Sequence, residues 1–174
     1  MPIRDMLLPE FDQEMANTRK LLERVPEKIT DYKPHPKSMP LNKLAGHVAE
    51  LPGWTKETFT KEVLEFDMET YVPFDPKTRQ EVLDKFDEHV KAGRAALAAA
   101  KDEDFPVIWS LKDTKGNTLF SMPRSVCYRS MVMNHLVHHR AQLGVYLRLN
   151  NIEIPGMYGP SADEMNLWEK AQGA

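Results

Sequence analysis

Apolar residues recur at helical spacing along four long stretches of this chain, and that pattern limits the fold more than any other feature. Phe11, Met15, Thr18, Leu22 and Val25 follow one another at steps of four and three, the mark of one buried helix face. Pro26 then stops this helix or marks its last turn. Leu41, Leu44, Val48 and Leu51 form a second stripe, with Ser38 or Asn42 as the predicted N-cap. Pro52 and Gly53 interrupt it before Thr55 and Phe59 resume, which predicts a kinked helix or two abutting ones. Val82, Phe86, Val90, Gly93, Leu97 and Ala100 mark a third helix over 77–101. A fourth runs over 123–150, with Pro123 tolerated in its first turn. Each stripe needs the others to leave water, so the fold class is all-α, a four-helix bundle. The connections are long, and one holds three prolines within seven positions ("PHPKSMP"). Crossovers are therefore favoured over a simple up-down order.

Two segments depart from helical spacing. "VIWSL" and "TLFSM" flank the turn "KDTKGN", which predicts a short β-hairpin insertion. In the tail, Ser161 and Glu164 form a capping box for a C-terminal tail helix, and "YGPSADE" is expected to dock over one end of the bundle near the functional site. A length of 174 residues suits a single domain, 1–174. The net charge is −3 and no basic run appears, so no nucleic-acid partner is expected. The lone cysteine, Cys127, precludes an intramolecular disulfide. The N-terminus "MPIRDMLLPEFDQE" lacks the apolar core of a secretory signal, and no stretch is apolar for long enough to span a bilayer. A cytoplasmic protein without a membrane partner is expected.

Against this background the segment "MNHLVHHRAQLGVYLRL" (133–149) is unusual, because it holds three of the six histidines within five positions. Satisfied core residues, a pH-responsive surface and metal ligands are the three readings. On a helix His135 and His139 sit about 40° apart, one turn above the other, so both can converge on one ion. His138 is rotated about 60° the other way from His135 and points elsewhere. Met131, Gln142 and Tyr146 lie near the ligand face. His47 follows Leu44 by three and precedes Leu51 by four, on the inward face of the second helix. Alone it reads as a core histidine bonded to a backbone carbonyl. Three inward imidazoles without partners are costly, and a divalent cation that accepts their lone pairs removes the cost. The candidate metal ligands are thus His47, His135 and His139. Three neutral ligands leave coordination positions open, the makeup of a catalytic site. His89 reads as a boundary residue, with a fourth ligand or a supporting group as alternatives, and His35 as solvent-facing. Gln142 has two readings, a hydrogen bond to a ligand's second ring nitrogen or to bound water, and packing between helices. Cys127 reads as a buried inert thiol about 80° from His135 around the helix. Trp54, Trp109 and Trp168 read as core or rim aromatics. No nucleophile elbow, phosphate loop, dinucleotide fingerprint or Cys-x-x-Cys is present.

Three segments, "SMPLNKLAGHVAELPGW", "MNHLVHHRAQLGVYLR" and "IPGMYGPSADE", together resemble the DinB/YfiT-like family in order and over most of the chain. Ala141 stands where a glycine is frequent in "HRGQL", outside the ligand positions. The resemblance implies a down-up-up-down four-helix bundle, often a homodimer, with zinc or nickel held by the three histidines that map to His47, His135 and His139. Relatives include transferases that use bacillithiol, mycothiol or glutathione and a thiol-dependent maleylpyruvate isomerase. An open coordination position would hold a thiol as thiolate beside an electrophile, or a water for hydrolysis. The expected function is a metal-dependent transferase that joins a low-molecular-weight thiol to a small-molecule electrophile. A non-catalytic metal-binding stress-response protein and a metal-dependent hydrolase are the alternatives. No acid–base residue beside the histidines can be read from the sequence.

Overall fold

Helix α1 (Ile3–Leu22) buries Phe11, Met15, Thr18 and Leu22, and Val25, in the turn beyond its end, is buried as well. These coordinates come from a computed structural model that describes residues 1–28, 30–67 and 69–165. Helix α2 (Leu41–Glu50) starts after Pro40 without a side-chain cap, and neither Ser38 nor Asn42 takes that role. The reason is long-range. The first N–H groups of a helix need acceptors, and here those of Leu41 and Asn42 donate to the carbonyls of Tyr32 (2.9 Å) and Thr30 (3.3 Å) in the proline-rich connection. A single 3₁₀ turn, Leu51–Gly53, separates α2 from α3 (Trp54–Thr60), so the interrupted stripe is two abutting helices. Helix α4 (Arg79–Ala99) is capped by Thr78, whose hydroxyl accepts from the Glu81 N–H.

The last helical stretch is not one regular helix. It comprises α5 (Arg124–Cys127), a π-helical segment (Tyr128–Asn134) and α6 (His135–Leu149). A π segment has wider turns than an α-helix. The angle expected between Cys127 and His135 from regular periodicity therefore does not hold. Within α6 the helix is regular, and the relation among His135, His138 and His139 stands.

Helices α1 and α2 each pack against both α4 and α6, around a core that includes Phe11, Leu22, Leu44, Phe86, Leu97, Leu136 and Leu143. At Gly93, α4 comes so close to the 3₁₀ turn that a Cβ would lie 2.5 Å from the Pro52 carbonyl oxygen. Strands β2 (Ile108–Lys112) and β3 (Thr118–Pro123) pair antiparallel about a turn in which Gly116 adopts φ +84°. A third strand, β1 (Val63–Glu65), which the sequence does not announce, pairs parallel with β2 to give the order β1-β2-β3. The protein is thus mostly helical with a small three-stranded sheet. Trp109, Leu111 and Cys127 form a second buried cluster beneath that sheet, and the Trp109 indole donates to the Glu57 carbonyl (3.1 Å). Among the described residues no helix is long and apolar enough to cross a membrane.

The capping box forms as read: the Ser161 N–H donates to Glu164 (3.0 Å) and the Glu164 N–H to the Ser161 hydroxyl (3.3 Å). The tail docks along α1 and α6. The Met157 carbonyl accepts from Asn17 (2.9 Å), and the Tyr158 hydroxyl meets both Glu14 and Arg140. These anchors are distinct from the three candidate ligands. Trp168 and the part of the expected tail helix beyond residue 165 lie outside the described residues.

Candidate metal centre

His47 projects from α2 between the buried residues Leu44 and Leu51, while His135 and His139 project from α6, which packs against α2. The two helices bring the three imidazoles together. One ring nitrogen of each lies within 4.8 Å of the others, and Nε2 of His47 is 3.3 Å from Nε2 of His135. The ring centroids are 4.7–5.0 Å apart.

The outer nitrogens of the α6 pair are already engaged. Nδ1–H of His135 donates to the Met131 carbonyl (3.3 Å), and Nδ1–H of His139 donates to the Gln142 side-chain oxygen (2.7 Å). Of the two readings of Gln142, the structure selects the hydrogen bond to a candidate ligand's second nitrogen. With these tautomers, Nε2 of both His135 and His139 carries a bare lone pair. His47 has at most one proton to offer at its own Nε2, so the cluster holds more acceptors than donors. Burial pushes the His47 imidazole down to about 4, and His139 and His135 add to the effect. Burial likewise lowers His135 and His139. Neutral imidazoles with convergent, unshared lone pairs fit a divalent cation, and proton sharing alone leaves at least one lone pair facing another.

The neighbouring histidines separate cleanly. His138 is exposed and outside the trio. His89 is half-buried and its Nδ1–H donates to the Glu50 carbonyl (3.0 Å), so it is a boundary residue that ties α4 to the end of α2. His35 is exposed. Cys127 is fully buried beside the Thr58 hydroxyl (3.5 Å), and burial raises its thiol pKa. Trp109 is buried and Trp54 half-buried.

The sequence reading missed a cavity of about 750 Å³ with His47 in its wall. Glu50, three residues after His47, lines the same cavity. Burial raises the Glu50 carboxyl above the usual carboxylate range, while His89, Lys85 and the Tyr71 hydroxyl oppose that rise. The i, i+3 spacing of His47 and Glu50 was the available signal, since such residues share a helix face. What it lacked was the far wall. That wall comes from α4 and from Leu64, Phe66, Tyr71 and Phe74, which no local pattern places there.

The sequence pattern of the DinB family matches residues 3–172. The crystal structure of a DinB-like protein from Bacillus cereus is 26% identical in sequence and superposes with a TM-score of 0.63, over 90% of this chain and 98% of that one. A DinB-like protein from Bacillus subtilis, 18% identical, gives a TM-score of 0.64 over 87% and 96% of the two chains, a likeness of fold. Curated proteins yield no match.

Proposed function

Because the chain belongs to the DinB family, we propose that His47, His135 and His139 hold one zinc or nickel ion, and that the protein joins a low-molecular-weight thiol to an electrophilic small molecule. The observation that carries this reading is the convergence of three ring nitrogens within 4.8 Å, two of them with their outer nitrogens already committed. The proposal includes the down-up-up-down bundle that the family resemblance implies, supported by the packing of α1 and α2 against both α4 and α6.

The bound ion would supply a Lewis acid that lowers the pKa of a thiol and fixes its sulfur. The chain's own residues do the rest. Met131 and Gln142 hold two imidazoles in the tautomer that turns Nε2 inward. The side chains of α2 and α6 around the trio keep it half-shielded from water, and His47 opens it to the adjacent cavity. Glu50 offers a carboxylate on that same side. The test is a thiol-consumption screen of several cellular thiols against a reactive aryl halide, with metal-free and with zinc- or nickel-loaded protein. Metal-dependent thioether formation is expected. Stoichiometric metal without turnover for any thiol would leave the non-catalytic reading in its place.

A further inference from the structure

The cavity beside His47 is furnished in a way the metal site alone does not require. Its volume of about 750 Å³ falls in the range of small-molecule pockets. Trp54, Phe66, Tyr71 and Phe74 line it, and aromatic walls of this kind favour flat apolar bodies. Most of its charged groups are engaged: Glu57 with Lys61 (2.6 Å), Glu88 with Lys85 (3.0 Å), and Lys43 with Asp75 (3.3 Å). Lys56 is solvent-exposed.

Glu50 is different. It is half-buried, and among the described residues its carboxylate makes no ion pair. The group it faces is the Tyr71 hydroxyl, carried on the irregular connection between β1 and α4 and itself 45% exposed. A partly desolvated acceptor is stabilised by a hydrogen-bond donor and disfavoured without one. The surroundings also restrict what that donor is. Lys43, Lys56 and His89 line the same space, and the metal site proposed above would add positive charge at His47. A neutral donor therefore fits better than a cation.

We propose that this cavity binds a flat, largely apolar small molecule that carries a neutral O–H or N–H group, and that the Glu50 carboxylate accepts the hydrogen bond from that group and sets the specificity. This deepens the preceding reading, because such a molecule in the cavity has one end at the His47 wall, where the electrophile would be needed. Binding itself does not require the ion. The Tyr71 hydroxyl is the neighbouring polar group in the free protein, and the ligand's donor takes the place beside the carboxylate.

The test uses 2-naphthol, which has the donor, and 2-methoxynaphthalene, which lacks it. Titrate each calorimetrically into chelator-treated full-length protein. A hydrogen bond to a charged acceptor predicts a preference for 2-naphthol of roughly tenfold or more. Glu50→Leu should abolish the preference, and the isosteric Glu50→Gln should reduce it to roughly threefold, because a neutral acceptor is about half as strong. Ala92→Phe, which adds bulk at the cavity wall, should weaken both probes. Equal binding of the two probes by the wild type, no binding of either, or a preference that survives in Glu50→Leu would overturn the proposal. Zinc uptake is measured on the same samples. Zinc uptake without the 2-naphthol preference sinks the pocket and spares the metal site, whereas the preference without zinc uptake does the reverse.

Discussion

Replacing Arg140 with methionine tests how the tail is held to the helices. Arg140 is 2% exposed, and its guanidinium donates to the Glu14 carboxylate (2.7 Å), the Glu14 carbonyl (3.1 Å), the Thr18 hydroxyl (3.1 Å) and the Tyr158 hydroxyl. Arg140→Met would fill much of the volume but leave Glu14, whose side chain is 11% exposed, without its counter-ion. Removing one partner of a buried pair costs about 3–5 kcal/mol. The low end applies here, because the Tyr158 hydroxyl still donates to Glu14 (2.9–3.0 Å). For a chain of 174 residues, each kcal/mol moves Tm by about 2–4 °C. The expected loss is therefore about 6–12 °C in differential scanning calorimetry. The double variant Glu14→Leu/Arg140→Met removes both charges and should recover most of that loss, since a buried pair is close to neutral against apolar substitutes. A double variant as unstable as the sum of the two singles would refute the reasoning, because the cost would then lie in packing and not in an unpaired charge.

Three further outcomes follow from the same geometry. Gly93→Ala places a Cβ 2.5 Å from the Pro52 carbonyl oxygen and 3.1 Å from Thr55 Cβ, so urea denaturation should show a loss of about 1–3 kcal/mol, and wild-type stability would contradict the close approach of α4. In metal-free protein the folded His47 imidazole titrates at about 4, below its ordinary 6.5. The unfolded chain therefore takes up the proton first, and stability should be complete above about pH 6.5 and fall as the pH drops toward 4. Because the ring is only partly buried, the loss from His47 is of order 1–2 kcal/mol, and denaturation midpoints that are flat across this window would count against it. Cys127→Ala should leave bound metal and thiol transfer intact, because its sulfur lies in the cluster beneath the sheet, away from the trio; loss of metal in the folded variant would contradict that placement.

The helices were legible because their stripes repeat over many turns, and Val82, Phe86 and Leu97 are buried on α4 as their spacing predicts. The histidine pair was legible for the same reason, since His135 and His139 need only one regular helix. The rest depends on partners far along the chain. The start of α2 at Pro40 rests on carbonyls at Thr30 and Tyr32. Val63–Glu65 is too short to carry a period, and it becomes a strand only because β2 lies beside it. The π-helical turns at Tyr128–Asn134 still bury Tyr128, Val132 and Met133, so the apolar pattern looks helical and conceals the change of register. Glu50 reads as an ordinary polar residue until Tyr71, His89 and the aromatic wall are brought around it.

Bound metal in four purified proteins tests the central claim most directly: elemental analysis of the wild type, His47→Ala, His138→Ala and His139→Ala after equilibration with zinc and with nickel. Losing one of three ligands should cost at least the roughly 10–100-fold in affinity typical of changes to groups that merely support a ligand. The wild type and His138→Ala are predicted to retain about one ion per chain, since the exposed His138 lies outside the trio. His47→Ala and His139→Ala are predicted to fall well below that. Equal loss from the His138 and His139 variants, or tight metal retained by His47→Ala, would contradict a site shared between α2 and α6.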